Sequence, residues 1–135
     1  MIVDSGVWID HFCGRSNAAV RVLQTALRYG EEVFMLPIIL QEVLQGTRDP
    51  RQFRRYERLL APISLARVPN PRRVAVSAAQ YYAKLRWRGV TVPSTDCLIA
   101  AAATACRRPL LTMDADFRHI AKTEPRFKLV IVSTN

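Results

Sequence analysis

The chain has 135 residues, half of them apolar, and its 20 Lys and Arg outnumber 11 Asp and Glu to give a formal net charge of +9. That length and apolar content suit one globular domain over residues 1–135 and exclude a disordered basic tail. The longest apolar run, Val33–Leu40, is far short of the ~18 residues of a membrane span, and an acid stands already at Asp4 with no signal-type apolar region before it, so a cytoplasmic protein without membrane contact is expected.

Met1–Asp4, a short apolar run ending in an acid, is the first of five expected strands. A helix is expected from Asn17, where Val20, Leu23 and Leu27 follow a 3–4 spacing and Gly30 supplies a stop. Val33–Leu36 is the second strand. The helix after it carries Glu42 among Ile38, Ile39, Leu40, Val43 and Leu44, which predicts a mostly buried carboxylate in need of a partner or a metal. Asp49-Pro50 reads as an N-cap followed by proline at the first helical position. The helix it opens sets Phe53, Tyr56 and Leu60 on one side and Arg51, Arg54, Arg55 and Arg58 over much of the rest. Ile63–Val68 is the third strand. Arg73–Arg88 predicts a longer helix with Ala75, Ala78, Tyr82 and Leu85 as its buried stripe. Ser94 or Thr95 is expected to cap the alanine-rich helix Cys97–Ala105. Pro109–Thr112, a short helix over Asp114–Lys122 and a fifth strand at Leu129–Val132 complete the chain. This alternation argues for an α/β domain, its mainly parallel sheet covered on both faces by helices.

In open parallel sheets, ligands gather beyond the carboxyl ends of the strands. Asp4 ends the first strand, Asp114 lies two residues past the fourth, and Asp116 follows. Asp96 stands in the first turn of its helix. With Glu42, these acids can converge at one edge of the sheet. Such a cluster repels itself, so it either raises its pKa values or takes up a divalent cation. Carboxylates without His or Cys partners suit Mg²⁺ or Mn²⁺ better than Zn²⁺. Each acid also has an ordinary reading: Asp4, Asp114 and Asp116 as caps, and Asp96 as a first-turn acid favoured by the helix dipole.

The cations are 17 Arg and three Lys, a bias toward the planar fork that grips phosphate with two hydrogen bonds. Residues 48–73 hold eight Arg against Asp49 and Glu57, and Lys84-Leu-Arg86-Trp87-Arg88 interleaves an aromatic with cations. Trp87 there is a candidate for stacking on a base, the alternative being a solvated helix face. His11 and His119 lack metal spacing and are expected to serve packing or the surface. Trp8, Phe12, Phe117, Tyr81 and Tyr82 are expected in the core or a dimer interface. Cys13, Cys97 and Cys106 are expected as reduced, buried small hydrophobes.

Four segments, Ile2-Val-Asp4-Ser5-Gly-Val-Trp8-Ile-Asp10, Gln41-Glu42-Val-Leu-Gln-Gly46, Thr95-Asp96-Cys-Leu-Ile-Ala-Ala101 and Leu110-Leu-Thr-Met-Asp114-Ala-Asp116-Phe117, resemble in order and distance those of PIN-domain nucleases, specifically the VapC-type toxins of toxin–antitoxin pairs. The resemblance implies a three-layer α/β/α sandwich and a Mg²⁺- or Mn²⁺-dependent endoribonuclease. It also implies a cognate antitoxin, RNA as substrate, and homodimers or toxin–antitoxin hetero-oligomers. Asp4, Glu42, Asp96 and Asp114 match the catalytic and metal-holding quartet, with Asp4 and Asp96 expected in direct metal contact. Asp116 matches an additional acid, and Ser5 and Thr112 match supporting hydroxyls. Gly6 departs from the family pattern, where a small hydroxyl or amide residue is usual. The expected chemistry is in-line attack of a metal-activated water on a phosphodiester, leaving a 5′-phosphate. Two alternatives are a catalytically silent RNA- or antitoxin-binding regulator on the same fold, and a phospho-accepting domain using Asp4, against which the poor placement of Lys122 and Lys128 speaks.

Overall fold

In the computed structural model, which describes residues 1–131, β1 (Ile2–Val3) runs into α1 (Ser5–Phe12) with Asp4 as the N-cap between them. The chain continues through α2 (Ala18–Arg28), capped by Asn17, then β2 (Phe34–Met35), α3 (Pro37–Gln45), α4 (Pro50–Leu60) and β3 (Ser64–Leu65). Next come α5 (Pro71–Trp87), α6 (Ser94–Ala105), β4 (Leu110–Thr112), α7 (Asp116–Thr123) and β5 (Leu129–Ile131). Val132, the last residue of the fifth expected strand, lies outside the described residues. The long apolar run Val33–Leu40 divides at Pro37. Its ring removes the amide hydrogen that a strand needs but suits the first turn of α3.

All strand pairs are parallel, in the order β3-β2-β1-β4-β5. The chain therefore builds outward from β1 in one direction, crosses back, and builds outward in the other. Right-handed crossovers put the helices of the first leg on one face and those of the second on the opposite face. The packing agrees: α1 touches α2 and α3, α3 touches α4, and α5, α6 and α7 pack on one another. The result is the expected three-layer α/β/α sandwich. Its core includes Ile2, Val3, Leu110 and Leu111 from the central strands and Trp8, Leu23, Ile39, Ile99 and Phe117 from both helical layers, all at most 2% exposed. The strand order reverses beside β1, which puts the carboxyl ends of β1 and β4 at a topological switch point.

Several local expectations shift. The stripe of α5 is Val74, Tyr81 and Leu85, with Ala75 exposed and Ala78 and Tyr82 half-buried. The helix begins earlier, at Pro71 behind the Asn70 cap, and its face is turned to present Tyr81 inward. Helix α6 starts at Ser94 behind Pro93 with no side-chain cap, so neither Ser94 nor Thr95 caps it. Helix α7 starts at Asp116 rather than Asp114. The third strand shrinks to Ser64–Leu65, an exposed edge. Phe53 is on the open side of α4, which buries only Tyr56 and Leu60. Of the cysteines only Cys97 is buried: Cys13 is exposed and Cys106 half-buried. No helix among the described residues is long and apolar enough to cross a membrane.

Candidate functional site

Beyond the ends of β1 and β4 lies a cleft of about 370 Å³ lined by Asp4, Ser5, Gly6, Val7, Glu42, Asp96, Met113 and Asp114. Four separate pieces of chain bring the acids there: the β1–α1 junction, the middle of α3, the first turn of α6 and the turn after β4. Asp116, the first residue of α7, completes the set. One oxygen each from Asp96, Asp114 and Asp116 lies within 4.8 Å of the others. Asp4 and Glu42 line the cleft beside this trio.

A chain of hydrogen bonds fixes the floor. Asp4 Oδ1 accepts the Ser5 amide at 2.9 Å, and Asp4 Oδ2 accepts the Thr112 hydroxyl at 2.7 Å. The Thr112 Oγ1 in turn accepts the Asp114 amide at 3.0 Å, and Asp114 Oδ1 accepts the Asp116 amide at 2.9 Å. Thr112 is wholly buried, so its hydroxyl ties Asp4 to the turn carrying Asp114 and Asp116 from beneath. Asp114 thus serves the start of α7 with one oxygen while the residue remains exposed to the cleft.

The electrostatics record crowding. Burial pushes the Asp96 carboxyl up to about 7, helped by the charges of Asp114, Asp4, Glu42 and Asp116. Burial likewise raises Asp4, against the opposing bonds from Thr112 and Ser5 and with a further push from Asp114. Glu42 is raised by burial and by Asp4, with the Ser5 side chain opposing. Two buried carboxylate oxygens, Glu42 Oε1 and Asp96 Oδ2, have no hydrogen-bond partner among the described residues. Buried polar atoms are normally satisfied, and here the donor set consists of negatively charged oxygens alone. These residues fit a hard divalent cation, which takes oxygen ligands and relieves their mutual repulsion.

Met113 and Val7, apolar members of the lining, escaped the sequence reading; their positions next to Asp114 and within the first turns of α1 were the available signal. A Cβ at Gly6 would meet nothing within 4 Å, so the missing side chain there leaves open space at the mouth. His11 lies away from the acids, in a cluster with Trp8 and Phe12 on α1, and burial lowers its pKa. Trp87 is 80% exposed at the end of α5.

A family model described as "PIN domain" matches residues 1–123. Ribonuclease VapC11 of Mycobacterium tuberculosis is 31% identical over 124 residues, covering 90% of this chain and 92% of the relative. Among solved structures, VapBC2 from Rickettsia felis, bound to a DNA fragment from its promoter, superposes with a TM-score of 0.75 at 15% identity over 98% of both chains. VapBC-1 from nontypeable Haemophilus influenzae superposes with a TM-score of 0.73 at 18% identity over 96% of both.

Proposed function

The chain belongs to the PIN-domain family, and from that premise we propose that it is the ribonuclease toxin of a toxin–antitoxin pair: an endoribonuclease that hydrolyses RNA phosphodiesters with Mg²⁺ or Mn²⁺. In this reading residues 1–135 act as one nuclease domain in the cytoplasm. On the same reading it assembles with a cognate antitoxin, which the toxin–antitoxin complexes of similar fold support, and as a homodimer. The observation that carries the proposal is the convergence of five carboxylates, two with unpartnered buried oxygens, at the switch point of a parallel sheet in a chain of net charge +9.

Asp4 and Asp96 would hold the cation directly, with Glu42, Asp114 and Asp116 completing its surroundings, one oxygen each of Asp96, Asp114 and Asp116 lying within 4.8 Å of the others. When bound, the ion supplies a Lewis acid that lowers the pKa of water and neutralises charge on a phosphodiester. The chain's own part is positional. Thr112 and Ser5 hold Asp4 in one orientation, and the Asp114–Asp116 turn is fixed to the same hydroxyl. Glu42 stands outside the tight trio and is raised by burial and by Asp4. Its place on the cleft wall outside that trio suits it to take the proton of the attacking water, and we assign it that role. The arginine-rich exterior concentrates RNA around this cleft.

Purified protein is expected to cut single-stranded RNA with Mg²⁺ or Mn²⁺ and to stop in chelator. Asp4→Asn and Asp96→Asn should each lower the rate by about a hundredfold or more while circular dichroism stays native. Full cleavage by both variants would overturn the assignment.

A further inference from the structure

A second cavity lies at the other end of α6 and carries the opposite charge. It occupies about 240 Å³ where the start of α5 meets the end of α6, and Asn70, Arg73, Ser77, Thr104, Arg107 and Arg126 supply its polar lining. Asp96 and Thr104 are eight residues apart on α6, which separates this cavity from the acidic cleft by about 12 Å along the helix axis. The only two non-glycine residues with positive φ among the described residues, Asn70 at 49° and Arg107 at 54°, both line it. Asn tolerates the left-handed region, but Arg carries a penalty there. Arg107 follows α6 at a position where glycine is the usual occupant. Its amide is bonded to Thr104 O and the Arg108 amide to Ala103 O, so the turn itself is regular. The unusual feature is the side chain kept on it.

The charges there have few local partners. Glu124 gives both oxygens to Arg126, at 2.7 and 3.3 Å, and is held below the usual carboxylate range by that contact. Arg73 and Arg107 have no salt bridge among the described residues. An adjoining cavity shares Thr104, Arg107 and Arg126 and adds Arg108 and Lys128, of which Arg108 pairs with Glu32 at 3.0 Å. The start of the 17-residue helix α5 is closed by its own cap, Asn70 Oδ1 accepting the Arg73 amide at 3.2 Å, so the guanidinium of Arg73 is its contribution to the cavity.

We propose that the Arg73–Arg107–Arg126 cavity is a phosphate-binding site, separate from the acidic cleft. Two guanidinium forks without a salt bridge among the described residues line one cavity beside the Ser77 hydroxyl, donors that a phosphate group takes. The proposal is independent of the nuclease reading, because it involves none of the acids and no metal.

The test uses the intact protein in chelator, so that the acidic cleft cannot recruit phosphate through a cation. Calorimetric titration with inorganic phosphate and, separately, with a short single-stranded RNA oligomer would compare wild type with R73A, R107G and R58A. R73A and R107G should each weaken phosphate binding by about tenfold. R58A removes the same charge from α4 and should change it by less than about twofold. R107G relieves the left-handed strain and should melt higher than wild type while binding less, a combination that loss of folding cannot produce. A parallel loss for the RNA oligomer, with a shallower salt dependence, identifies a nucleic-acid backbone as the source. Loss for inorganic phosphate alone identifies a small anion. Equal losses in all three variants, or none in R73A and R107G, would overturn the site.

Discussion

Asp96 concentrates the electrostatic tension of the cleft. It is only 9% exposed, its Oδ2 has no partner among the described residues, and its pKa sits at about 7. A carboxyl that holds its proton more tightly in the folded state than in the unfolded chain opposes folding once it ionises. The resulting loss is absent below about pH 4, grows between pH 4 and 7, and is complete above about 7. Asp4 and Glu42, also raised, act in the same direction. Asp49 and Glu124 are lowered and withdraw stability only when pH falls into the acid range. His11 is lowered by burial and opposes the trend as pH falls through 6.5, so the informative quantity is a difference between proteins. In chelator, the thermal midpoint of Asp96→Asn should exceed that of wild type by an amount that grows from pH 5 to pH 8. Saturating Mg²⁺ at pH 8 should raise the wild-type midpoint more than the variant's. A pH-independent difference would show that Asp96 is already ionised without strain. Thr112 offers a companion test. Thr112→Val keeps the volume but removes the 2.7 Å bond to Asp4 and leaves the Asp114 amide without its acceptor. Mn²⁺ affinity measured by calorimetry should fall by about tenfold, with Asp4, Asp96 and Asp114 all still present.

At the scale of elements, α1 is the piece that turns a strand end into a site. Asp4 caps it, Ser5 and Gly6 form its first turn, and Val7 and Trp8 anchor its other side in the core. Gly6 weakens that first turn. It has a negative-φ helical backbone and open space where a Cβ would go, so Gly6→Ala should stabilise by roughly 0.5–1 kcal/mol. A rise of about 2–4 °C in the thermal midpoint is the expected reading, and a fall would mean that the side chain meets something in the folded cleft. Local signals made several elements legible in the sequence: Asp49 does accept a capping bond, at 2.7 Å, and Gly30 does take a positive φ after α2, while the cap supplied by Asn17, at 2.9 Å, was not foreseen. Where the signal is tertiary, the sequence was less informative. Helix α1, Ser-Gly-Val-Trp-Ile-Asp-His-Phe, has little polar contrast with which to announce a face. The stripe of α5 is decided by the elements packed against it, α6 and α7, and it is Tyr81 rather than Tyr82 that lies inward. The acids could be named from strand ends and helix starts, because sheet topology dictates where those ends meet. The hydroxyl of Thr112 joining Asp4 to Asp114, and the left-handed Arg107, depend on three-dimensional detail that spacing does not carry.

At the scale of the whole molecule, the net charge of +9 hides a division. Five of the 11 acids belong to one cleft, and the 20 cations are spread over the remaining chain. On the proposed reading, RNA is drawn to the exterior and repelled by the acidic cleft until a cation neutralises the carboxylates. Binding and cleavage should then be separable by charge alone. In chelator at pH 8, where Asp96 with its pKa of about 7 is ionised, the Asp4→Asn/Asp96→Asn double variant removes two negative charges from the cleft. Its affinity for a single-stranded RNA oligomer should exceed that of wild type by about fivefold at low salt, and the gain should shrink as added salt screens the cleft. Saturating Mg²⁺ should close the gap from the wild-type side by neutralising the same carboxylates, while the double variant stays unable to cut. Filter binding with chelator and with Mg²⁺ distinguishes this from a purely structural role for the acids. If the double variant binds RNA no better than wild type in chelator, the RNA lies on the basic exterior without approaching the cleft, and the acids then have no part in gating it.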